Sequence, residues 1–519
     1  MESNMAINEN FWINYQISEN NLDLIYNHLL ESQIPANKKE LSFFLIGEII
    51  DQQKVALKKE RLSGGDVYLP KERYRPGQSL VFPLRDWQKG EVTNVRKGNN
   101  PEYEGMEIIR VEFSSSDIKY FASNVSNHIL NNPAAVDEAE FLNSNHIIEN
   151  YASSLANKLE TILSKNDDLV CIAGSYFPRS LLVDVSVGHL NLCEAVLEME
   201  SGGPLTTQEL ISQIELPTDV NANLTEFSLN LALQEDTRFD EVGPAGETLW
   251  FLNRLEPEEV RSTPATLQYT GQNVDLPKEL EKYKSLGAEI CDELDYECEC
   301  EEIDEVTVSL TYPHWRAGTL PLTPKLRQLF PTAYETPRVK FDFIDGDSQI
   351  TFSGWVVRPS KYIFGLREWF IKEGFIPGSL IHVSRSKKPG QVVIKAEKQR
   401  NIKEWIRTVL VGADGGVVFA LLKQVVTCTF DERMALFIPD VAAVDKLWDS
   451  RSRQPIEKTV QNIMHELSKL NPQGHIHAQE IYAAVNLIRR CPPSVIISIL
   501  FTQSWSSHLG DLYFRVIDS

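Results

Sequence analysis

The clearest pattern of apolar and polar positions lies between Gly318 and Ile394. A helix that begins at Pro324 is ended by Pro331, which is the expected position for proline at both helix ends. Two alternating runs follow, 338–343 and 349–357, and Asp345-Gly346-Asp347 joins them. Asp-Gly between alternating runs is typical of a β-hairpin. The pattern then predicts a helix and two strands, over 366–372, 380–383 and 392–394.

Three other stretches share a mainly helical pattern. Residues 22–30 and 38–50 predict two amphipathic helices, which suit either a helix-turn-helix or an ordinary helical pair. Residues 190–255 predict three helices followed by two short strands, and Thr206 to Glu209 forms a capping-box pattern. Residues 455–517 repeat this plan. The sequence therefore predicts two modules of three helices and a hairpin, and a third candidate at the N-terminal end.

The remaining segments give weaker signals. Short strands with Gly, Asn and Pro turns predict a small β-barrel after residue 60, and helices and short strands without a motif are expected over 395–450. Glu289 to Glu305 is strongly acidic and includes Cys291, Cys298 and Cys300. Because a structural zinc site usually needs paired Cys-x-x-Cys spacing, we interpret this segment as an acidic solvated spacer. The predicted domains are 1–60 helical, 61–115 barrel, 116–188 helical connector, 189–256 helical module, 257–305 acidic linker, 306–407 barrel-like domain, 408–454 connector and 455–519 helical module.

Charge is distributed unevenly along the 519 residues, whose formal net charge is −22. Residues 306–519 hold 27 Lys and Arg against 19 Asp and Glu, a net charge of +8. Residues 1–305 hold 24 and 54, a net charge of −30. Such asymmetry is typical of a basic binding face beside acidic domains. The acidic half should repel DNA, so DNA affinity should depend strongly on salt.

The stretch 318–394, within the predicted domain 306–407, resembles the pseudobarrel DNA-binding domain of plant auxin-response-type transcription factors and the effector-binding domain of a restriction endonuclease. The resemblance covers roughly a sixth of the chain. It rests on Leu320-Pro321 with Leu329-Phe330-Pro331, on Tyr362 with Gly365 to Trp369, and on Gly374 to Ser379. It implies a pseudobarrel that grips DNA with two arms, here 312–316 and 358–362.

Both arms place Arg or Lys beside an aromatic residue, as groove and phosphate contacts require. The alternative is that this segment is only a soluble barrel, whose exposed basic loops do not bind DNA. Arg489 and Arg490 are the phosphate-contact candidates of the C-terminal module. The expected DNA-binding residues are Trp315, Arg316, Arg358, Ser360, Lys361, Tyr362, Arg385, Lys387, Lys388, Arg489 and Arg490.

The two helical modules resemble the HARE-type winged helix found in the delta subunit of bacterial RNA polymerase and in chromatin factors. The resemblance rests on GGPLTTQEL (202–210) and on the wing RFDEVGP with LWFL (238–252), and the C-terminal module follows the same order. The helix in the recognition position, 223–230, has no Lys or Arg. A helix that enters the major groove should present cations to phosphates, so this module is expected to contact protein.

The chain carries no phosphate-binding loop, no His-Glu-x-x-His and no Gly-x-Ser-x-Gly. Ile394 to Lys398 fits a nuclease pattern by composition only, and His475 with His477 is interpreted as turn and cap chemistry rather than as a metal pair. We therefore expect an α+β multidomain protein with winged helices, a small β-barrel and a DNA-binding pseudobarrel. It should be a non-enzymatic, cytoplasmic binder of double-stranded DNA and a transcription regulator, without cofactor or membrane segment.

Two alternative functions are also compatible with the sequence. One is an accessory DNA-recognition subunit of a restriction or defence complex. The other is a scaffold that docks on RNA polymerase or another protein without contacting DNA.

Overall fold

The computed structural model describes residues 9–62, 65–85, 87–113, 117–131, 144–214, 216, 221–272, 276–284, 290, 292–295, 302–334, 336–412, 415–451 and 454–517. The chain is a mixed α/β protein that divides into two compact units, Met1–Leu182 and Val183–Ser519. Among the helices of these residues, none combines the length and the apolar character needed to cross a bilayer.

The first unit contains a module of three helices and a three-stranded sheet. Apolar residues at helical spacing bury one face of each helix, as Ile25 with Leu29 and Leu41 with Leu45 show. The sheet order is β1-β8-β7, so the short strand between the first two helices pairs with the second strand of the hairpin. The elements of this unit are α1 (Glu9–Ile13), α2 (Glu19–Ser32), β1 (Ala36–Asn37), α3 (Lys38–Leu62), β2 (Asp66–Val67), β3 (Ser79–Phe82), β4 (Gln88–Lys97), β5 (Glu107–Phe113), β6 (Ile118–Ser123), α4 (Ser144–Leu163), β7 (Leu169–Ile172) and β8 (Ser175–Pro178).

A five-stranded sheet, β2-β3-β4-β5-β6, lies between α3 and α4 in the chain. Its core consists of aromatic and β-branched side chains, including Tyr68, Phe82 and Val111. The predicted strands after residue 60 are present, and the sheet continues through Ile118–Ser123 into the segment for which a helical connector was expected. The connector is therefore part strand, because Ile118 to Ser123 pairs along β5.

The second unit begins with another three-helix module. Its capping box is confirmed, since the Thr206 side chain accepts from the Glu209 amide and the Glu209 carboxylate accepts from the Thr206 amide. The Trp250 indole donates to Thr207 and Asn230 inside the module core. The elements are α5 (Val187–Met199), β9 (Leu205–Thr206), α6 (Thr207–Gln213), α7 (Ala222–Glu235), β10 (Phe239–Glu241), β11 (Leu249–Leu252) and α8 (Glu258–Arg261), with sheet order β10-β11-β9.

A seven-stranded half-barrel follows. Apolar side chains alternate along its strands and fill the inside, as Val339, Phe341 and Phe343 do on one strand. The elements are β12 (Glu305–Ser309), α9 (Tyr312–Ala317), β13 (Thr319–Pro321), α10 (Pro324–Arg327), β14 (Arg338–Asp345), β15 (Thr351–Val357), β16 (Tyr362–Phe364), α11 (Arg367–Glu373), β17 (Leu380–Arg385) and β18 (Gln391–Ala396). The strand order is β12-β17-β18-β14-β15-β16-β13, and only β14 with β18 is a parallel pair.

The half-barrel is followed by a two-stranded ribbon and a C-terminal module. Helices and short strands were expected over 395–450, but Lys398–Val411 and Val417–Cys428 pair as one long antiparallel ribbon. The C-terminal sheet has the order β21-β23-β22, which repeats the pairing of the two earlier modules. The elements are β19 (Lys398–Val411), β20 (Val417–Cys428), α12 (Val441–Arg451), α13 (Ile456–Ser468), β21 (Ile476–His477), α14 (Ala478–Asn486), α15 (Pro493–Thr502), β22 (Ser506–Gly510) and β23 (Tyr513–Val516).

Candidate nucleic-acid interface

One end of the half-barrel gathers basic side chains from several loops. The register places the ends of β13 and β15 beside the start of β16, because Pro321 and Val357 both pair with Tyr362. On the other half of the sheet, the end of β17 meets the start of β12 through a 2.9 Å hydrogen bond from the Arg385 amide to the Asp304 carbonyl. We call this surface the basic end. It comprises Lys325, Arg327, Arg358, Lys361, Arg385, Lys387 and Lys388.

Carboxylates also lie at this end. Among the described residues they are Glu302, Asp304, Glu305 and Asp342. Asp240 and Glu256 both bind Arg338 at the start of β14, and the Glu259 carbonyl accepts from the Tyr362 hydroxyl. The side chain of Asp304 is 93% exposed and lies 3.4 Å from the Arg385 guanidinium. Such an exposed pair is weak and competes poorly with a polyanion. The positive charge that can attract phosphate groups is therefore concentrated at the β17–β18 turn, beside this weak pair.

The β17–β18 turn presents the most accessible of these cations. Lys387 and Lys388 are exposed, and no described carboxylate forms an ion pair with either ammonium group. The Ser386 hydroxyl accepts a 3.2 Å hydrogen bond from the Lys388 amide, and the Gly390 carbonyl accepts one of 3.0 Å from the Asp342 amide. The turn is thus held against the sheet while its lysine side chains remain available to a ligand.

The turn between β15 and β16 is only partly accessible to a DNA ligand. Arg358 is half-buried and donates to the Thr336 carbonyl at 2.7 Å, and Ser360 shares a 2.7 Å hydrogen bond with Thr263. Tyr362 is fully buried, its hydroxyl donates to the Glu259 carbonyl at 2.5 Å, and burial raises its pKa to about 12. The expectation that Tyr362 contacts DNA is therefore corrected, because a buried ring cannot reach a groove.

The predicted first arm lies at the opposite end of the half-barrel. Residues 312–317 form helix α9, which follows the end of β12 and precedes the start of β13. The Trp315 indole donates to the Phe375 carbonyl at 2.8 Å. Arg316 binds both carboxylate oxygens of Asp445, at 2.9 and 2.8 Å, and this pairing raises the pKa of Arg316 above its usual value. Trp315 and Arg316 are thus engaged within the protein, and the two predicted arms do not share an end.

The expectation that Arg490 contacts DNA is also corrected. It is 2% exposed, and its guanidinium binds both oxygens of Asp292, at 2.9 and 3.0 Å, and Glu293 at 2.8 Å. Its neighbour Arg489 is half-buried and donates to the Gln454 carbonyl at 2.6 Å. A side chain enclosed by two carboxylates cannot contact a phosphate, so Arg490 is a structural residue in this fold.

The same cluster corrects the interpretation of the acidic linker. Asp292 and Glu293 are buried between the half-barrel and the C-terminal module. The second oxygen of Glu293 lies 3.1 Å from the His314 ring, which also contacts the Thr319 hydroxyl at 2.8 Å. Asp295 accepts from the Ser494 amide and hydroxyl at the start of α15. This part of the linker is a buried connector rather than a solvated spacer, whereas Cys291, Cys298 and Cys300 lie outside the described residues.

The third helix of each three-helix module carries almost no positive charge. Helices α7 and α15 contain no Lys or Arg. Helix α4 contains Lys158, whose ammonium donates to the carbonyls of Ile13 and Tyr15 at 3.2 and 3.0 Å. Helix α15 is also apolar and buried along most of its length. A helix of this kind lacks the cations and the exposed polar face that reading DNA requires.

Carboxylates near the Ile394–Lys398 segment are paired with lysines. Lys398 contacts Glu373 at 2.9 Å and Asp347 at 3.5 Å, and Lys372 contacts Asp345 at 3.0 Å. Burial favours a higher pKa for Asp345, but hydrogen bonds from Ser348 and Lys372 hold its pKa well below the usual value. Among the described residues, no group of three or more His, Cys, Asp or Glu side chains is arranged for a metal ion. His477 caps α14 by accepting from the Gln479 amide at 3.2 Å, as its cap interpretation predicts.

Sequence reasoning missed two features. Lys325 and Arg327 belong to the basic end, although the Pro324 helix start that places them there was visible in the sequence. The five-stranded sheet borders a partly open pocket of about 290 Å³ whose walls include Tyr68, Phe82 and Tyr120. Since aromatic residues usually mark a core, the spacing alone carried no signal for a pocket.

No protein-family model, no curated protein and no solved structure matches the chain.

Proposed function

We propose that this protein binds double-stranded DNA through the basic end of its half-barrel and acts without catalysis as a regulator of transcription. The observation that carries the proposal is the strand register, which brings cations of several loops to one end of a rigid sheet. Phosphate contacts of this kind position a protein on the duplex and make its affinity salt-dependent. The order of elements also supports the pseudobarrel resemblance, since α10 follows the second strand and α11 follows the fifth.

The three-helix modules are assigned to protein contacts. Their shared connectivity, in which the first short strand pairs with the second hairpin strand, supports a winged-helix identity for all three. Their third helices lack the cations of a DNA-reading helix, apart from Lys158, which is bound to backbone carbonyls. RNA polymerase or another component of the transcription apparatus is the partner class that this role implies.

The proposal is tested by charge reversal at the β17–β18 turn of the full chain. Lys387→Glu with Lys388→Glu should lower affinity for a labelled double-stranded oligonucleotide by about tenfold or more at low salt, and the salt slope should fall by about 1 for each phosphate that is no longer neutralised. The matched control is Lys458→Glu with Lys469→Glu, which changes net charge equally on helix α13 and its end. Fluorescence anisotropy measures both. Equal affinities of the two double variants would refute the assignment of the basic end.

A further inference from the structure

Among the described residues, the ribbon formed by β19 and β20 has one edge without a neighbouring strand, which we call the free edge. The outer edge of β19 is covered, because the Val409 amide donates to the Phe437 carbonyl at 2.9 Å and the Phe437 amide donates to the Arg407 carbonyl at 2.8 Å. No described residue forms a backbone hydrogen bond with the outer edge of β20 between Val417 and Thr427. Since alternate amides and carbonyls of an edge strand point outward, β20 presents a row of unpaired groups suited to another strand.

Both faces of the same segment expose apolar side chains. Leu421 and Val425 lie on one face with Trp405, and their exposed fractions are 45%, 52% and 63%. Leu422 lies on the other face and is 40% exposed. Strands usually protect a free edge with charges, proline or a bulge, but β20 carries one charged residue, Lys423, over its twelve positions. An apolar surface of this kind usually marks a site of association.

Both ends of β20 are held by contacts within the chain, so the free edge is already ordered in the unbound protein. Near one end, the Leu380 amide donates to the Thr429 carbonyl, and the Thr429 amide donates to the Glu397 carbonyl at 2.8 Å. At the other end, Val417 and Phe419 are buried in the core that the ribbon shares with the C-terminal module. A fixed strand loses little conformational freedom when it pairs, so the cost of association is low.

We propose that the free edge of β20 pairs antiparallel with β20 of a second copy of this chain and so forms a four-stranded sheet across a two-fold axis. A two-fold interface requires a surface that is complementary to itself. An apolar strand with a single cation meets this condition, whereas an acidic or basic edge would oppose like charges. The interaction is independent of the proposed DNA contact.

Charge and exposure also determine the register, that is, which residues of the two β20 strands lie opposite each other. Opposite residues in an antiparallel pair share a face, so one residue must lie on the axis and face its own copy. The exposed segment 421–425 is centred on Lys423, but that register would place two ammonium groups opposite each other. A shift by one position puts Leu422 on the axis and places Lys423 opposite Leu421 of the second copy. The geometry therefore assigns Leu422 to the centre of the interface.

The first test is the mass of the full chain in solution, measured by light scattering across a dilution series. The wild type should be a dimer that dissociates on dilution, and Leu422→Asp should be a monomer because two carboxylates would face each other. The control, Ile350→Asp, puts the same charge on another exposed apolar residue, which belongs to the half-barrel and is 57% exposed against 40% for Leu422, and this variant should stay dimeric. A monomeric wild type, or a Leu422→Asp variant that dimerises as the wild type does, would overturn the proposal.

The second test is cross-linking of the full chain. Opposite Cα atoms in an antiparallel pair lie about 4.5–5.5 Å apart, which is compatible with a disulfide. Leu422→Cys should give a covalent dimer under mild oxidation, while Val425→Cys and the wild type should not, since Val425 would face Phe419. Absence of the cross-link at position 422, or an equal cross-link at position 425, would overturn the assigned pairing.

Discussion

Replacement of Arg490 by methionine should strongly destabilise the second unit. Arg490 binds Asp292 with two hydrogen bonds, at 2.9 and 3.0 Å, and Glu293 with one of 2.8 Å. Methionine fills much of the same volume, but it leaves two buried carboxylates without their cation. Removing one partner of a buried ion pair costs about 3–5 kcal/mol, and two carboxylates are affected here, so we expect a loss in the upper half of that range.

The pH dependence of this loss has a defined sign. Burial alone would raise the pKa of Glu293, but Arg490 and His314 hold it below its usual value, so its contribution to stability is present at neutral pH and is lost only in strong acid. Without Arg490, burial should raise that pKa above its value in the unfolded chain. The variant should then lose stability as the pH rises, and its deficit should shrink on acidification from pH 7 toward the usual carboxyl range near 4.

Urea unfolding of the full chain, followed by tryptophan fluorescence at several pH values, measures the effect. The neighbouring Arg489 is the matched control, since it is half-buried and donates to one carbonyl, and Arg489→Met should cost about 1 kcal/mol or less. The combined change of Arg490→Met, Asp292→Asn and Glu293→Gln should restore part of the stability, because no unpaired charge remains buried. If Arg490→Met costs no more than Arg489→Met at pH 7, the account of the buried cluster is refuted.

Three further predictions concern other positions of the second unit. Burial and the positive charge of Arg433 lower the pKa of His477 to about 4, so the stability of the folded state should fall as the pH drops from about 6.5 to 4. His477→Asn keeps a capping side chain, so its melting temperature should depend less on pH over this range in thermal unfolding. Gly378→Ala should destabilise the protein far more than Gly390→Ala, for which we expect a cost of about 1–2 kcal/mol. A Cβ on Gly378 would lie 2.5 Å from the Cα of Ala435, whereas the space around Gly390 is open. Equal losses of stability in urea unfolding would contradict this prediction. Arg316→Ala should leave DNA affinity unchanged and lower stability by roughly 1 kcal/mol through loss of the Asp445 pair, and a large loss of DNA binding by the folded variant would restore the first arm as a DNA-binding element.

Local patterns predicted much of the second unit. Alternating residues around Asp345-Gly346 predicted the hairpin of β14 and β15, and the proline-started helix is present as α10, although it ends at Arg327, earlier than expected. The ribbon was missed because β20 exposes apolar residues on both faces, so it lacks the alternation that identifies a half-buried strand.

The candidate site was less predictable, because contacts between distant residues decide which cations are available. Arg490 lies 198 positions from Asp292, so no local rule could show that its charge is neutralised inside the protein. The acidic linker was misinterpreted for the same reason, since local charge density does not reveal a buried cation elsewhere. Arg316 is a similar case, because Asp445 lies 129 positions away. By contrast, Lys387 and Lys388 are exposed in the β17–β18 turn and remain candidates.

DNA binding by the full chain through phosphate contacts at the basic end can be tested on the protein itself. The most direct measurement is selection of bound molecules from a random double-stranded DNA pool by the full-length protein at two salt concentrations. We expect binding at low salt, a steep fall in affinity as the salt concentration rises, and enrichment of a short motif. Absence of binding at low salt would refute DNA binding at the basic end and would leave the protein-contacting modules as the basis of the protein's function.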